Sequence, residues 1–306
     1  MEPASLLKDD ERIDQLYSQD VQIIQSPSCF AFSLDAVLLA DFVRPNHRHK
    51  LRTVDLCAGN GAIGLFLHNK LGGTFTEVEL QPRIADMARR SVELNQLTDR
   101  YRVLNMDIAD VFEEVPKDSA DVVLCNPPYF PVTAKSQKNP NRYLAIARHE
   151  IATNLVTVAT QMSGLLKMNG HGYLVHRPDR LTEIMTTMQE HRLVPKRLRF
   201  IHPKPGRDAN MLLLEVIKDG KPGGLKVVPP LIVSGEDGQY LPAVRELLYG
   251  QAEVLYVRSL LCRRYPLLRL YHRRRPAVCY PPGRAGGQVY PGACPPPSAL
   301  DLPGRF

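Results

Sequence analysis

The 306-residue sequence lacks three features, and each absence argues against a class of protein. None of its six cysteines stands in a C-x-x-C pair, so neither a zinc site nor a disulfide framework is indicated. The apolar stretch 36–43 is far too short to cross a bilayer. Residues 1–5 carry neither the basic region nor the apolar core of a signal peptide. We therefore expect a reduced, cytoplasmic globular protein without a metal and without a role in the membrane.

The most informative segment is Asn126-Pro127-Pro128-Tyr129, directly after the apolar run 122–125. A planar amine is a poor nucleophile, because its lone pair is delocalised until two acceptors bind its N–H groups. The Asn126 side-chain oxygen supplies one acceptor. The carbonyl of Pro127, kept extended by Pro128, supplies the other, and Tyr129 offers a ring face for stacking. Taken alone, the tetrapeptide fits a strand followed by a rigid turn equally well.

A glycine turn lies upstream, within residues 54–64, between an apolar strand and a helix predicted over 62–70. Glycines let the backbone approach a ligand closely at the N-terminus of a helix. The spacing matches G-x-G-x-x-G only if Ala58 replaces the first glycine, so the turn by itself is a weak signal. The cofactor contacts expected here are Asp55, Cys57, Gly59 and Gly61.

The next predicted strands also end in polar residues. The strand 74–80 carries Glu79, which is placed to hold two ribose hydroxyls. The strand 101–106 is followed by Asp107 and Ile108, which suit an adenine. Ligands bind at the carboxyl ends of the strands in a doubly wound sheet. Nicotinamide enzymes share the glycine turn but do not need N-P-P-Y, so the combination predicts S-adenosylmethionine as the cofactor.

The remaining segments up to residue 250 alternate between helical and extended patterns. Helices are predicted over 82–95, 151–167 and 180–191, and strands over 171–176, 197–202 and 210–217. The last two strands are joined by the basic turn 203–209. The pattern predicts an α/β fold, with a doubly wound, mostly parallel sheet that ends in an antiparallel hairpin.

These motifs resemble the Rossmann-like class I methyltransferases, in the amino-methylating branch that carries [DNS]-P-P-[YFW]. Residues 30–40 are similar to the F-x-F-x-x-D-A-x-L-L segment of the bacterial tRNA1(Val) (adenine-37-N6)-methyltransferases. Three later blocks also resemble that family: 147–150, 201–210 and 229–250. The resemblance covers about residues 5–250 and implies methylation of an adenine N6 in tRNA, next to the anticodon. Residues 26–29 depart from the more polar, basic turn expected there.

Five residues are predicted to contact the substrate. The polar loop 131–141 follows Tyr129 and is placed to cover a target base, although a plain surface loop fits as well. The basic turn 203–209 offers contacts to phosphates, with an ordinary solvated turn as the alternative. The predicted contacts are Phe32, Lys135, His149, Lys204 and Arg207.

The last segment differs in composition from the rest. Residues 251–306 contain nine arginines, no lysine and two acids, so they carry the whole +7 charge of the chain. We expect a methyltransferase domain over 1–250 and a disordered, Arg/Pro-rich tail over 251–306. A basic RNA-binding arm is one interpretation of the tail. The other is an out-of-frame translation, because codons for 267–277 shifted by one base can spell Y-C-G-Y-T-T-D-V-D-R-R. That peptide is similar to the core of the GIY-YIG nucleases, but the tail holds no intact nuclease motif and we expect no nuclease activity.

Three hypotheses of function stay open at this point. The first is methylation of an adenine amine in tRNA. The second is the same fold acting on an rRNA or DNA base or on a protein glutamine. The glutamine-modifying family usually has a helical N-terminal domain, for which the roughly 50 residues ahead of the glycine turn are too few. The third is a non-catalytic RNA binder, against which the intact N-P-P-Y argues.

Overall fold

The computed structural model describes residues 6–29, 32–129, 143 and 153–250. Lys135, His149 and the tail 251–306 lie outside the described residues, so the predictions made for them stay predictions. The described chain begins with a small antiparallel pair, β1 (Arg12–Leu16) and β2 (Val21–Gln25). None of its helices is both long enough and apolar enough to span a bilayer.

One large sheet organises the rest of the described chain. Its strands are β3 (Arg52–Leu56), β4 (Thr74–Glu79), β5 (Tyr101–Asn105), β6 (Ala120–Cys125), β7 (Leu166–His176), β8 (Leu193–His202), β9 (Met211–Lys218), β10 (Lys226–Val227) and β11 (Leu231–Ile232). They lie in the order β10-β8-β9-β7-β6-β3-β4-β5, and β11 also pairs with β8. Strands β3 to β7 are mutually parallel, whereas β9 runs antiparallel to both β7 and β8. The predicted doubly wound sheet with an antiparallel terminal hairpin is therefore confirmed.

The direction of winding reverses between β3 and β6. From β3 the chain adds β4 and β5 on one side, then returns to place β6 on the other side of β3. The register pairs Leu56 with Cys125 at the ends of these two strands. A crevice opens at such a reversal, at the carboxyl ends of the strands, and it is where doubly wound sheets bind their ligands.

Helices cover both faces of the sheet. They are α1 (Leu34–Phe42), α2 (Ala62–Phe66), α3 (Pro82–Leu94), α4 (Leu155–Leu165), α5 (Leu181–Glu190) and α6 (Pro242–Tyr249). The helices α1, α2 and α6 contribute to one hydrophobic cluster, and α4 and α5 to a second, on the opposite face. Proline at the first turn of α3 is favourable, because that turn has no partner for its N–H. Burial on both faces explains why the central strands read as continuous apolar runs.

Several elements differ in length from the sequence prediction. The helix α2 ends at Phe66 instead of continuing to Lys70, because the chain must turn back at Gly72-Gly73 to enter β4. The strand β7 begins at Leu166 rather than 171. The added residues contain an irregularity in the pairing with β6, between Ala120 and Val122 of that strand. The strand β8 begins at Leu193 in spite of Pro195, whose missing N–H falls at a register shift where no ladder bond is required.

Candidate functional site

The turn between β3 and α2 depends on a left-handed backbone at three positions. Cys57, Gly59 and Gly61 have φ of 61°, 60° and 81°. The N–H of Ala58 donates to the Val78 carbonyl at 2.9 Å, which joins the turn to β4. Glycine adopts this conformation freely, whereas Cys57 adopts it at a cost of roughly 1–2 kcal/mol. The turn is therefore held in shape by its neighbours, and Cys57 and Gly59 are its half-buried positions.

Glu79 is fixed at the end of β4. Its Oε2 accepts the N–H of Gly59 at 3.0 Å and its Oε1 accepts the N–H of Gln81 at 2.8 Å. The side chain is buried, and burial raises the pKa of Glu79 although both N–H groups act in the opposite direction. These bonds tie the glycine turn to the neighbouring strand and leave further lone pairs of the carboxylate for a ligand's hydroxyl groups.

Asp107 follows β5 and begins a 3-10 turn over Ile108–Glu113. Its Oδ1 accepts the N–H of Ala109 at 2.9 Å, which is the bond of an N-cap. The other oxygen, Oδ2, makes no hydrogen bond to a described residue, and Ile108 is buried beside it in the sequence. Asp107 thus has one side-chain oxygen without a described partner after β5, and its contact with the ligand's adenine stays a prediction.

Two buried carboxyl groups face each other beneath the glycine turn. The register pairs Asp55 of β3 with Glu77 of β4, and the two residues are 1% and 0% exposed. No described donor reaches any of their four side-chain oxygens. Burial raises the pKa of Asp55 to about 8 and raises the pKa of Glu77 as well. The pair therefore holds at least one proton at neutral pH, which one group can donate to the other. A Cβ on Gly64 would overlap with Glu77 Oε1, so this glycine is required by space.

The residues after β6 form the other side of the crevice. Asn126 is half-buried and its side chain makes no hydrogen bond to the described residues, whereas Pro127 and Pro128 are buried. The register pairs Leu56 with Cys125, the residues just before Cys57 and Asn126, so Asn126 follows β6 beside the start of the glycine turn. An amide oxygen without a hydrogen bond to the described residues therefore lies at this point.

Tyr129 is held by side chains from two distant elements. Its hydroxyl donates to Asp35 Oδ2 of α1 at 3.0 Å. Its ring centroid lies 5.6 Å from that of His176, at an interplanar angle of 58°. His176 ends β7 and is buried, and burial lowers its pKa to about 4, so the imidazole is neutral at physiological pH.

Cys57 directly follows β3, and Cys125 is the last residue of β6, the strand paired with it. Cys125 is fully buried, and burial together with the neighbouring Cys57 raises the pKa of its thiol well above the ordinary value. A neutral, buried thiol is a poor nucleophile. Cys125 therefore serves as a small apolar residue of the strand, and Cys57 is half-buried in the turn.

Three of the predicted substrate contacts are described by the structure, two in a surface turn and one in the hydrophobic core. Lys204 and Arg207 lie in the turn between β8 and β9, at the same end of the sheet as Asn126, because β8 runs in the direction of β7. Arg207 is exposed and forms no ion pair with a described residue. Phe32 is buried and packs edge-to-face against Phe66, with ring centroids 5.2 Å apart. Its contact with the substrate stays a prediction.

Three residues of the site were not predicted from the sequence. His176 obeys the rule that identified Glu79 and Asp107, because it is a polar residue at the end of a predicted strand. Asp35 stands inside the 30–40 segment, but its partner is 94 positions away. Glu77 could have been recognised only from its register with Asp55.

The acidic side chains of the site fit S-adenosylmethionine, which carries a ribose, an adenine and two positively charged groups. Asp55, Glu77, Glu79 and Asp107 all lie at or near the carboxyl ends of β3 to β5. None of them forms an ion pair with a lysine or arginine of the described chain. Glu79 and Asp107 keep acceptors for the hydroxyls and the amino group that such a ligand carries.

Comparison with known proteins agrees with this chemistry. Residues 23–178, more than half of the chain, match the family described as methyltransferase small domain. A tRNA1(Val) (adenine(37)-N6)-methyltransferase of Porphyromonas gingivalis is 28% identical over 53% of this chain and 64% of its own length. A ribosomal RNA large subunit methyltransferase K/L of Dichelobacter nodosus is 30% identical over 49% of this chain and 20% of its own. The match thus spans less than two thirds of either relative.

A solved structure is similar as well. The crystal structure of a predicted O-methyltransferase from Agrobacterium tumefaciens has 27% identity and a TM-score of 0.55, over 71% of this chain and 96% of that one. The predicted cofactor is confirmed by the family: the chain uses S-adenosylmethionine.

Proposed function

Because the chain belongs to the methyltransferase small domain family, we propose that it transfers a methyl group from S-adenosylmethionine to N6 of an adenine in tRNA, next to the anticodon of tRNA1(Val). The observation that carries the reaction type is Asn126. It is a half-buried amide beside the glycine turn, without a hydrogen bond to the described chain. The substrate is supported by the N-P-P-Y segment and by the name of the Porphyromonas gingivalis relative.

Asn126 and Pro127 act on the nitrogen that is methylated. When bound, the cofactor supplies an electrophilic methyl group on a sulfonium sulfur. The Asn126 Oδ1 and the Pro127 carbonyl accept the two N–H groups of the amine, which restores the lone pair to nitrogen. Positive charge grows on this nitrogen during transfer, so acceptors fixed beforehand stabilise the transition state more than the ground state. The extra proton leaves afterwards to solvent, and no protein base is required.

Tyr129 binds the base, and the acids bind the cofactor. The aromatic ring at the end of N-P-P-Y offers a face on which an adenine extruded from its stack can lie. Glu79 would hold the ribose hydroxyls, Asp107 the cofactor's adenine amino group, and Gly59 and Gly61 would lie along the methionine portion.

RNA recognition depends on local charge, because residues 1–250 carry no net charge. The turn with Lys204 and Arg207 lies at the carboxyl end of the sheet, where the base must enter. Cations at this end of the sheet fit contacts to phosphates, which orient an RNA without reading its sequence.

The proposal is tested by methylation of natural RNA. The protein is incubated with labelled S-adenosylmethionine and total RNA from a strain that lacks it, and the labelled nucleoside is mapped by nuclease digestion and mass spectrometry. We expect N6-methyladenosine at one position of one tRNA. RNA from the parent strain is the matched control and should accept little label, because its site is already methylated.

Two results would contradict the proposal. Label confined to ribosomal RNA would move the substrate to the class named for the Dichelobacter nodosus relative. No label in RNA, together with label in the proteins of a whole extract from the same strain, would move the substrate to a protein side chain.

A further inference from the structure

Asp35 is an acid whose side chain makes all of its hydrogen bonds within the protein. It is 4% exposed, in the first turn of α1. Its Oδ1 accepts the N–H of Ala36 at 2.9 Å and the hydroxyl of Ser33. Its Oδ2 accepts the hydroxyl of Tyr129 at 3.0 Å. Because Oδ1 is fixed by the helix, the position of Oδ2 is fixed too.

His176 packs against the ring of Tyr129 and restricts its rotation. Its Nδ1 accepts the N–H of Arg177 at 2.8 Å, so the proton of the neutral ring is on Nε2. The side chain is 1% exposed at the end of β7. The buried, neutral imidazole therefore packs beside the tyrosine ring, with the two ring centroids 5.6 Å apart.

The chain that leads to Tyr129 is restricted as well. The two preceding residues, Pro127 and Pro128, have φ fixed by their rings and are buried. The tyrosine thus follows a rigid segment, and its side chain is restrained at the ring by His176 and at the hydroxyl by Asp35. A tyrosine on an exposed loop would rotate freely about χ1 and χ2 and would lose that freedom when a base stacked on it.

We infer that Asp35 is a positioning residue for methyl transfer: its carboxylate holds the Tyr129 hydroxyl so that the ring is oriented before the base arrives. The inference rests on the proposed function, in which Tyr129 stacks the target base. Asp35 itself touches neither the base nor the methyl group. Its effect is to keep the amine aligned with Asn126, because a small misplacement of a reacting group costs much of the rate.

The kinetic test is a double-mutant cycle on the full chain with the RNA substrate. Tyr129→Phe removes the hydroxyl and keeps the ring, and Asp35→Asn removes the negative charge at Oδ2 and keeps an acceptor for Ala36. We expect each variant to lower kcat roughly tenfold, as for the loss of a hydrogen bond to a charged group, with the Kd for S-adenosylmethionine within about twofold of wild type. The double variant should be no slower than the slower single variant.

The control for α1 is Asp41→Asn. Asp41 is a carboxylate of the same helix whose ion-pair partner is Arg199, at 3.5 Å, away from the tyrosine. Its replacement should leave kcat unchanged. Losses that multiply in the double variant, to about a hundredfold, would overturn the inference, and so would wild-type kinetics for Tyr129→Phe. Tyr129→Phe leaves the hydrogen bonds of Asp35 Oδ1 to Ser33 and Ala36 intact. It therefore tests the inference even if Asp35→Asn fails to fold.

A second readout needs no substrate. In protein labelled with 13Cζ-tyrosine, the Tyr129 signal is assigned by its disappearance in Tyr129→Phe. It should shift in Asp35→Asn and stay in place in Asp41→Asn. An unmoved signal in Asp35→Asn would overturn the inference. If instead the wild-type chain methylates no RNA while this signal shifts, the proposed function fails and the hydrogen bond itself stands.

Discussion

Two parts of the same crevice differ in charge although they lie on adjacent strands. The acidic half consists of Asp55, Glu77, Glu79 and Asp107, on or just after β3 to β5. The neutral half consists of Asn126, Pro127, Tyr129 and His176, at the ends of β6 and β7. The acids have no cationic partner among the described residues, and burial keeps the one imidazole of the neutral half uncharged by lowering its pKa to about 4.

The difference between the acidic and the neutral half matches the different chemistry of the cofactor and of the proposed substrate base. A cofactor with ribose hydroxyls, an adenine amino group and two positive charges suits a region rich in carboxyl groups. An uncharged base suits a region of amide, proline and aromatic groups, where a fixed positive charge would oppose the positive charge that grows on the amine. The boundary between the halves is the reversal point between β3 and β6, across which the methyl group must pass.

Asn126→Ala should give the largest effect and act on the neutral half alone. We expect kcat to fall about 10²–10³-fold, as when one preorganised group is removed from a charge-stabilising site, while the Kd for S-adenosylmethionine changes little. Asn126→Asp is the matched control, because it keeps an acceptor and should retain much more activity. Normal turnover by the alanine variant would mean that Asn126 is only a turn residue.

Glu79→Ala should act on the acidic half alone. Loss of the acceptor for the ribose hydroxyls should weaken cofactor binding by roughly 1–3 kcal/mol, measured by titration calorimetry. Glu93→Ala, on the exposed face of α3, is the control and should bind normally. An unchanged affinity in Glu79→Ala would remove the ribose assignment.

The Asp55–Glu77 pair should make stability depend on pH. Its folded-state pKa values are raised, so its contribution is complete at pH below about 4 and is lost as pH rises toward about 8. One proton changes the free energy of unfolding by at most about 1.4 kcal/mol per pH unit. Urea unfolding from pH 5 to 8.5 should show stability falling with pH, with a smaller slope in Glu77→Gln. Parallel curves for the two proteins would show that the pair does not hold a proton.

Lys204→Ala and Arg207→Ala should each have a smaller effect, and on RNA alone. We expect a few-fold weaker RNA binding, and the salt slope should fall by about 1 for each phosphate that the protein no longer neutralises. Lys226→Ala is the control, because this exposed lysine of β10 pairs with Arg197 in the middle of β8, away from the turn 203–209. Equal weakening of RNA binding in all three variants would indicate a non-specific charge effect.

Removal of the tail should have the least effect of all. A chain that ends at Gly250 should fold and keep its kcat on tRNA, because residues 251–306 have no periodic apolar face that could join the core. Circular dichroism and single-turnover methylation measure both properties. Loss of folding would make the tail part of the domain. The neighbouring reading frame over codons 251–306 tests the frameshift interpretation separately.

Local pattern was sufficient for most of the fold. The alternation of apolar runs with amphipathic segments predicted the central strands and helices, because burial on both faces makes each strand a continuous apolar run. Lengths were less predictable: α2 ends four residues early at a turn imposed by β4, and β8 includes a proline that only a register shift accommodates. Both depend on where the neighbouring strand lies in the folded sheet.

The sequence by itself determined which polar residues follow each strand, because parallel strands bring their ends to one end of the sheet. That rule predicted Glu79 and Asp107, and the N-P-P-Y segment predicted Asn126. Tertiary structure alone decided that Asp35 bonds Tyr129 across 94 positions and that Asp55 faces Glu77. The reason is physical: a strand-end position is a property of one segment, whereas a hydrogen bond or a shared proton requires the register of two segments. Register exists only after the sheet and its helices have packed.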